Sequence, residues 1–291
     1  MNGLHPADRV DAFAPAGAPG SVDAFAPIGL EELTARAALQ TRVDRKYVVP
    51  VTALAGILAD LGPETRVLEI AGVRRFRYES VYFDTPELES YRMAVHARRH
   101  RFKMRTRAYV DSATAYLEVK TRGARSATVK ERLAYDFEAR RELTADGLHY
   151  AHESLDGAGF DLDPGRLRRT VVTTYDRATL FIPGFSPGFL SEDESPAGPA
   201  HPESRATIDT RLTWELDPSV AGAARRLATP AIAIVETKSG SRPSGVDRLL
   251  WSHGHRPATI SKYGTGLAAL HPELPANKWS RTLRRHFHPA V

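Results

Sequence analysis

The sequence predicts an α+β fold built on a mostly antiparallel sheet of about eight strands with helices around it. Three observations lead there. First, segments of strict alternation recur at hairpin-like spacing through the middle of the chain. Second, the alternate positions carry charge: Lys103, Arg105 and Arg107 in one segment, Tyr116, Glu118 and Lys120 in the next. Third, Arg205-Ala206-Thr207-Ile208-Asp209 and Ile234-Val235-Glu236-Thr237-Lys238 repeat the pattern late in the chain. Successive side chains of a strand point to opposite faces, so each segment presents a charged row backed by an apolar one. A solvated face of an antiparallel sheet is the plainer reading. The row positions, however, are mostly Arg and Lys with isolated acids, the residue types that grip phosphate.

The elements follow in order. Residues 1–27 read as a flexible Ala/Pro/Gly-rich tail in which Val-Asp-Ala-Phe-Ala-Pro occurs twice, at Val10–Pro15 and Val22–Pro27. A short amphipathic helix is expected over 28–39, then a strand over 40–50 with Arg42, Asp44 and Lys46 on one face. Thr52 is the expected N-cap of a helix ended by Gly62-Pro63. Strands are expected over 74–83, 102–108, 116–121 and 129–137, with a helix over 88–97 and a mobile turn over 122–127. A helix over 143–155 precedes a strand over 171–181. The Pro/Gly/Ser-rich stretch 183–202 marks an exposed loop. Strands over 205–216 and 232–238, a helix over 244–251 and a last helix ending at Leu270 complete one domain over 28–275. Residues 276–291 read as a basic tail.

Composition narrows the chemistry. The chain has 291 residues, no cysteine and a formal net charge of +5. Thiol catalysis, disulfides and iron–sulfur clusters are excluded. An anionic ligand fits the charge. Nucleic acid is not expected, because the cations are spread over alternating strands and no zinc-finger spacing or RNA-recognition motif is present. No apolar run of about 18 residues predicts a membrane span, and no secretory signal is visible; a cytoplasmic location is the expectation. Neither a GxxxxGK[ST] loop nor a GxGxxG turn after a strand occurs.

The charged rows also occur in a recognisable order: Arg45-Lys46-Tyr47, Tyr82-Phe83-Asp84-Thr85, Lys103-Met104-Arg105-Thr106-Arg107, Leu117-Glu118-Val119-Lys120 and Val129-Lys130-Glu131-Arg132. Tyr175-Asp176-Arg177, Arg205 to Asp209, Val235-Glu236-Thr237-Lys238 and Ser261-Lys262-Tyr263 continue it. This resembles the VTC domain, the polyphosphate polymerase branch of the CYTH-like triphosphate tunnel metalloenzymes. The resemblance runs over about residues 40–270.

It implies a closed antiparallel barrel, or tunnel. Lys46, Arg105, Arg107, Lys120, Arg177 and Arg205 would be catalytic. Together with Lys130, Lys238, Ser261 and Lys262 they would bind phosphates. Tyr175, two residues before Arg177, would hold the nucleotide base, with packing as the plainer role for that ring. Glu236, and as second candidate Glu118, would hold Mn²⁺ or Mg²⁺. The implied activity is transfer of the γ-phosphate of ATP to a growing polyphosphate chain. ATP, polyphosphate, pyrophosphate and triphosphate are the implied ligands, and a separately encoded membrane partner is left open. The hydrolytic tunnel enzymes carry ExExK on the first strand face; here that face reads Arg42, Asp44, Lys46, which favours a synthase. A metal-dependent triphosphatase or polyphosphatase, and a non-catalytic polyphosphate or nucleotide sensor, remain the alternatives.

Overall fold

The computed structural model of the protein describes residues 20–36, 43–122, 128–184 and 203–287. In chain order its first elements are β1 (Ala26–Ile28), α1 (Leu30–Arg36), β2 (Val43–Pro50), α2 (Val51–Ala59), β3 (Arg66–Leu68), β4 (Phe76–Asp84) and α3 (Glu89–Val95). Then come β5 (Arg101–Tyr109), β6 (Thr114–Arg122), β7 (Thr128–Tyr135), α4 (Ala145–Asp156), β8 (Arg168–Ile182) and β9 (Ser204–Leu216). The last are α5 (Pro218–Ala221), β10 (Arg225–Thr229), β11 (Ile232–Ser239), α6 (Gly245–Ser252), α7 (Lys262–Leu270) and α8 (Ser280–His286).

The main strands hydrogen-bond in the order β2-β11-β9-β8-β4-β5-β6-β7. The β2–β11, β11–β9, β4–β5, β5–β6 and β6–β7 pairs are antiparallel. The expected α+β class and antiparallel sheet are therefore present.

The chain forms two compact units. The first takes the chain up to Arg75, Asp176–Arg211 and Pro230–Ala258; the second takes Phe76–Tyr175, Leu212–Thr229 and the chain from Thr259 onward. The long strands β8 and β9 give one half to each.

In the first unit, Tyr47, Val49, Ala206, Ile208, Ala233 and Val235 point to a core closed by Leu54, Ile57, Leu58 and Leu250 of α2 and α6. Their odd-and-even partners Lys46, Thr207, Glu236 and Lys238 point to the other face, as period-two alternation demands. Asp247, fully buried, accepts hydrogen bonds from the hydroxyls of Tyr47 (2.7 Å), Thr237 (2.6 Å) and Ser244 (2.9 Å) and from the Ser244 amide. That capping box starts α6 and fastens it to the back of β2 and β11.

In the second unit Val81, Phe83, Phe102, Met104, Leu117 and Val119 form the core face, covered by Ala151 and Leu155 of α4 and by Phe160. Helix α7 packs so closely that a Cβ on Gly264 would lie 2.2 Å from Trp279 and one on Gly266 2.1 Å from Trp214. Only glycine allows these approaches.

Several expectations need correction. The second hexapeptide copy is not tail: Val22 is fully buried, Asp23 pairs with Arg75 at 2.6 Å, and β1 runs parallel to β3. The first copy lies outside the described residues, as do Arg42 and 123–127. The basic C-terminal segment holds α8, anchored by buried Trp279 and Phe287. Helix α2 starts at Val51 behind Pro50, not at a Thr52 cap, because the Val51 amide is taken by the Ala231 carbonyl at 2.9 Å. The short strands β1, β3 and β10 were not expected, for three to five residues carry too little alternation to read.

Candidate phosphate-binding faces

In an antiparallel ladder, directly paired residues share a face. The register of the second unit can therefore be read as cross-strand rows. The first row is Arg101–Arg122, and the second is Lys103–Lys120–Lys130. The third is Tyr82–Arg105–Glu118–Arg132. The fourth is Ser80–Arg107–Tyr116–Ala134, and the fifth is Tyr78–Tyr109–Thr114. The first two rows oppose like charges, an arrangement that destabilises a sheet.

Glu118 organises the middle of this face. Its Oε2 accepts from Arg105 Nε at 2.8 Å and Nη2 at 2.7 Å, its Oε1 lies 2.7 Å from Lys130 Nζ, and Arg107 Nε is 3.8 Å away. Burial alone would raise the Glu118 carboxyl; Arg105 and Lys130 outweigh it and hold the group below the usual carboxylate range. Burial likewise opposes the Arg105 charge, but Tyr82 and Glu118 outweigh it and raise its pKa. Arg105 Nη1 also donates to the Tyr82 hydroxyl at 3.2 Å.

Tyr82 stacks on Tyr263 (centroids 5.0 Å apart), and Tyr263 donates to Asp84 at 2.5 Å. Asp84 is fully buried and also accepts from the amides of Thr85, Ser90 and Tyr91, so it caps α3 and locks Tyr263 at once. Lys262, beside Tyr263, begins α7 under a Ser261 cap, and its Nζ lies 4.4 Å from the Tyr175 ring centroid. Tyr175 itself is fully buried and stacked on Tyr78 at 5.3 Å.

The first unit has a second charged face. Its rows are Asp44–Lys238–Arg205, Lys46–Glu236–Thr207 and Val48–Ile234–Asp209. Arg177 grips Asp209 with two bonds, Nε to Oδ1 at 2.6 Å and Nη2 to Oδ2 at 2.8 Å. Lys238 bonds Glu236 Oε1 directly and lies 3.8 Å from Asp44, while Lys46 stands 3.9 Å from Glu236 Oε2. Burial would raise the Glu236 carboxyl; Lys46 and then Lys238 reverse this and hold it well below the ordinary range. Burial lowers Lys238, against the pull of Glu236 and Asp44.

The structure thus gathers the expected site residues into two groups: Arg105, Arg107, Lys120, Lys130, Ser261, Lys262 and Tyr175 in the second unit, Lys46, Arg177, Arg205, Glu236 and Lys238 in the first. Sequence reasoning left out Lys103, Arg132, Tyr82 and Asp209 as site residues. Same-face spacing was the signal: Asp209 is two and four residues from Thr207 and Arg205, and Lys103 is two from Arg105.

Among the described residues no cluster of three or more His, Asp or Glu forms a ready-made metal cage. The carboxylates differ in what they offer. Both Glu118 oxygens are engaged by close ion pairs. Glu236 keeps one oxygen only loosely held, at 3.9 Å from Lys46. A hard divalent cation that brings phosphate oxygens as its other ligands needs just one or two carboxylates, and Glu236 fits that demand.

A separate cavity of 430 Å³ in the second unit is lined by Phe83, Arg141, Leu143, Arg169 and Asp217 among others. Two of its three arginines are ion-paired, Arg141 to Glu79 at 2.6 Å and Arg169 to Asp217 at 2.7 Å, and Arg168 donates to the carbonyls of Gly165 and Leu167.

The model of the VTC domain matches residues 41–271. The chain belongs to the VTC-domain family. No curated protein matches the sequence. Among solved structures, a putative adenylyl cyclase from Hippeastrum, reported with a dominant triphosphatase activity, is 15% identical with a TM-score of 0.43, covering 82% of this chain and 100% of its own. A putative adenylate cyclase from Bacillus halodurans is 11% identical with a TM-score of 0.42, covering 76% of this chain and 94% of its own. Members of this family are typically phosphate-handling enzymes. No described helix of this chain is long and apolar enough to cross a membrane.

Proposed function

We propose that this VTC domain is an ATP-dependent polyphosphate polymerase, acting in a sheet that closes into a tunnel. The observation that carries the reading is the opposition of like charges in register: Arg101 against Arg122, and Lys103 against Lys120 against Lys130. A sheet bears that cost where an anion offsets it, and a row of cations at strand spacing matches a chain of phosphates better than a single carboxylate or sulfate.

In this reading Arg105, Arg107, Lys120, Lys130 and Lys262 hold the phosphates of ATP and polymer, with Lys46, Arg177, Arg205 and Lys238 as further cationic partners and Ser261 at the α7 cap. A terminal phosphate oxygen of the polymer attacks the γ-phosphorus as the bond from that phosphorus to the β-γ bridging oxygen breaks, and ADP leaves with the bond's electrons. The charge spread over the equatorial oxygens is met by guanidinium and ammonium groups already in place. Glu236 would hold the divalent cation, Mn²⁺ or Mg²⁺, which when bound adds charge stabilisation at those oxygens. Glu118 is better suited to keep Arg105, Arg107 and Lys130 in position than to bind metal, since both its oxygens are spoken for.

Incubation with ATP and Mn²⁺, followed by separation of long polyphosphate from free phosphate, tests the proposal. Polymer and ADP are expected. Free phosphate without polymer would make the protein a hydrolase, and binding without turnover would make it a sensor.

A further inference from the structure

The second unit's charged face is polar along its length. Going up β5 every second residue, it reads Arg101, Lys103, Arg105, Arg107, Tyr109. Cations fill one end and aromatic rings the other. The aromatic end is a connected set: Tyr109 lies 4.9 Å from Tyr78, centroid to centroid, and 6.2 Å from Tyr116, edge to face.

Tyr109 and Tyr116 point away from the core face of Phe102, Met104, Leu117 and Val119. Their neighbours Ala108, Ala115 and Leu117 are the residues that turn inward and are buried, whereas Tyr109 and Tyr116 are half-buried. Tyr116 sits in the same row as Arg107, and Tyr109 one row beyond it. Alternate residues of an antiparallel strand are about 7 Å apart. A molecule whose phosphates span Arg105 and Arg107 therefore reaches these rings with whatever it carries on its other end.

A nucleoside triphosphate has this same polarity: a polyanion at one end, a flat aromatic base at the other. We infer that Tyr109 and Tyr116 form the base subsite of a nucleoside triphosphate, with the γ-phosphate directed toward the Lys103–Lys120–Lys130 row. This rests on the proposed use of ATP and deepens it. The subsite recognises the π-face of a base, not its hydrogen-bonding edge, because stacking tolerates any base. It also moves the base from Tyr175, which is fully buried with Tyr78 stacked on it and Lys262 against its ring, to the neighbouring rings that still have accessible surface. Arg132 Cζ lies over the Tyr116 ring, 5.0 Å from its centroid, so a base stacking there would meet the guanidinium as well as the ring.

The test is equilibrium binding, by calorimetry, of ATP and of inorganic triphosphate to the full chain and to Tyr109→Ala and Tyr116→Ala. Tyr109→Leu and Tyr116→Leu keep bulk without a π-face and serve if the alanine variants fold poorly. Loss of a stacking ring should lower ATP affinity about tenfold while triphosphate affinity stays within about twofold. Equal loss for both ligands, or no loss for ATP, overturns the base subsite and leaves the phosphate reading standing. Failure of the unaltered chain to bind either ligand overturns both.

Discussion

The two charged faces differ in their balance of sign. In the second unit Arg101, Lys103, Arg105, Arg107, Lys120, Arg122, Lys130 and Arg132 share their cross-strand rows with one carboxylate, Glu118. In the first, Lys46, Lys238, Arg177 and Arg205 are matched by Asp44, Glu236 and Asp209. A face with surplus cations gains most from an anionic ligand. A face near neutrality has already met its own needs, and its carboxylates are available for a different partner. Under the proposed function the comparison suggests a division of labour: a surplus of cations on one face suits phosphate, and a loosely held carboxylate on the other suits a hard cation.

The strongest way to break the comparison is to remove the best-held cation. Arg105→Ala deletes a guanidinium aimed by both Glu118 and Tyr82, and turnover should fall about 10²–10³-fold, the usual loss for one preorganised charge-stabilising donor. Arg105→Lys should recover little, because one ammonium cannot make the paired bonds to Glu118 and the third to Tyr82. Steady-state kinetics with ATP would show it; near-normal turnover in Arg105→Ala would mean that the surplus is idle.

Ligand-linked stability sharpens the contrast. Triphosphate at about 100 times its dissociation constant should stabilise the fold by about 2.7 kcal/mol. Thermal unfolding should show that gain vanishing when Lys103 and Lys120 are both changed to Ala.

Acid should separate the faces less sharply. Glu118 and Glu236 are both held below the usual carboxylate range, so each contributes stability that is complete above the unfolded-state value of about 4.3 and is lost as pH falls through the lowered folded-state value. Unfolding followed from pH 7 to pH 2 should therefore steepen below about pH 4. Glu118→Gln should lower stability at pH 7 and flatten that loss; an unchanged acid limb would mean that Glu118 is not coupled to its cations.

The smallest effect is expected at Lys130, whose side chain is 47% exposed. A half-exposed ammonium is screened by water and salt, so Lys130→Ala should cost at most a few-fold in triphosphate affinity. A larger loss would make β7 more central to the site than its exposure suggests.

Much of this was legible in the sequence because a strand's period is two. Lys103, Arg105 and Arg107 had to share a face, and so did Glu236 and Lys238. Which strands lie side by side was not legible. Nothing in the sequence placed Lys103, Lys120 and Lys130 in one row, because register depends on pairing across turns. Nor did alternation tell the role of Asp84. It sits in a motif that could be matched, but its place at the head of α3, bonded to Tyr263 from the far end of the chain, is a tertiary fact. Tyr175 shows the reverse: its spacing from Arg177 was visible, its burial was not.

The most direct test of the division of labour is triphosphate binding with and without Mn²⁺, in the unaltered chain and in Glu236→Gln. The account predicts that Mn²⁺ tightens binding to the unaltered chain. In Glu236→Gln that metal effect should disappear, while metal-free binding stays equal or becomes tighter, because a negative charge has left the cationic face. A folded Glu236→Gln protein that keeps the full Mn²⁺ effect, or that loses triphosphate binding without metal, would contradict it.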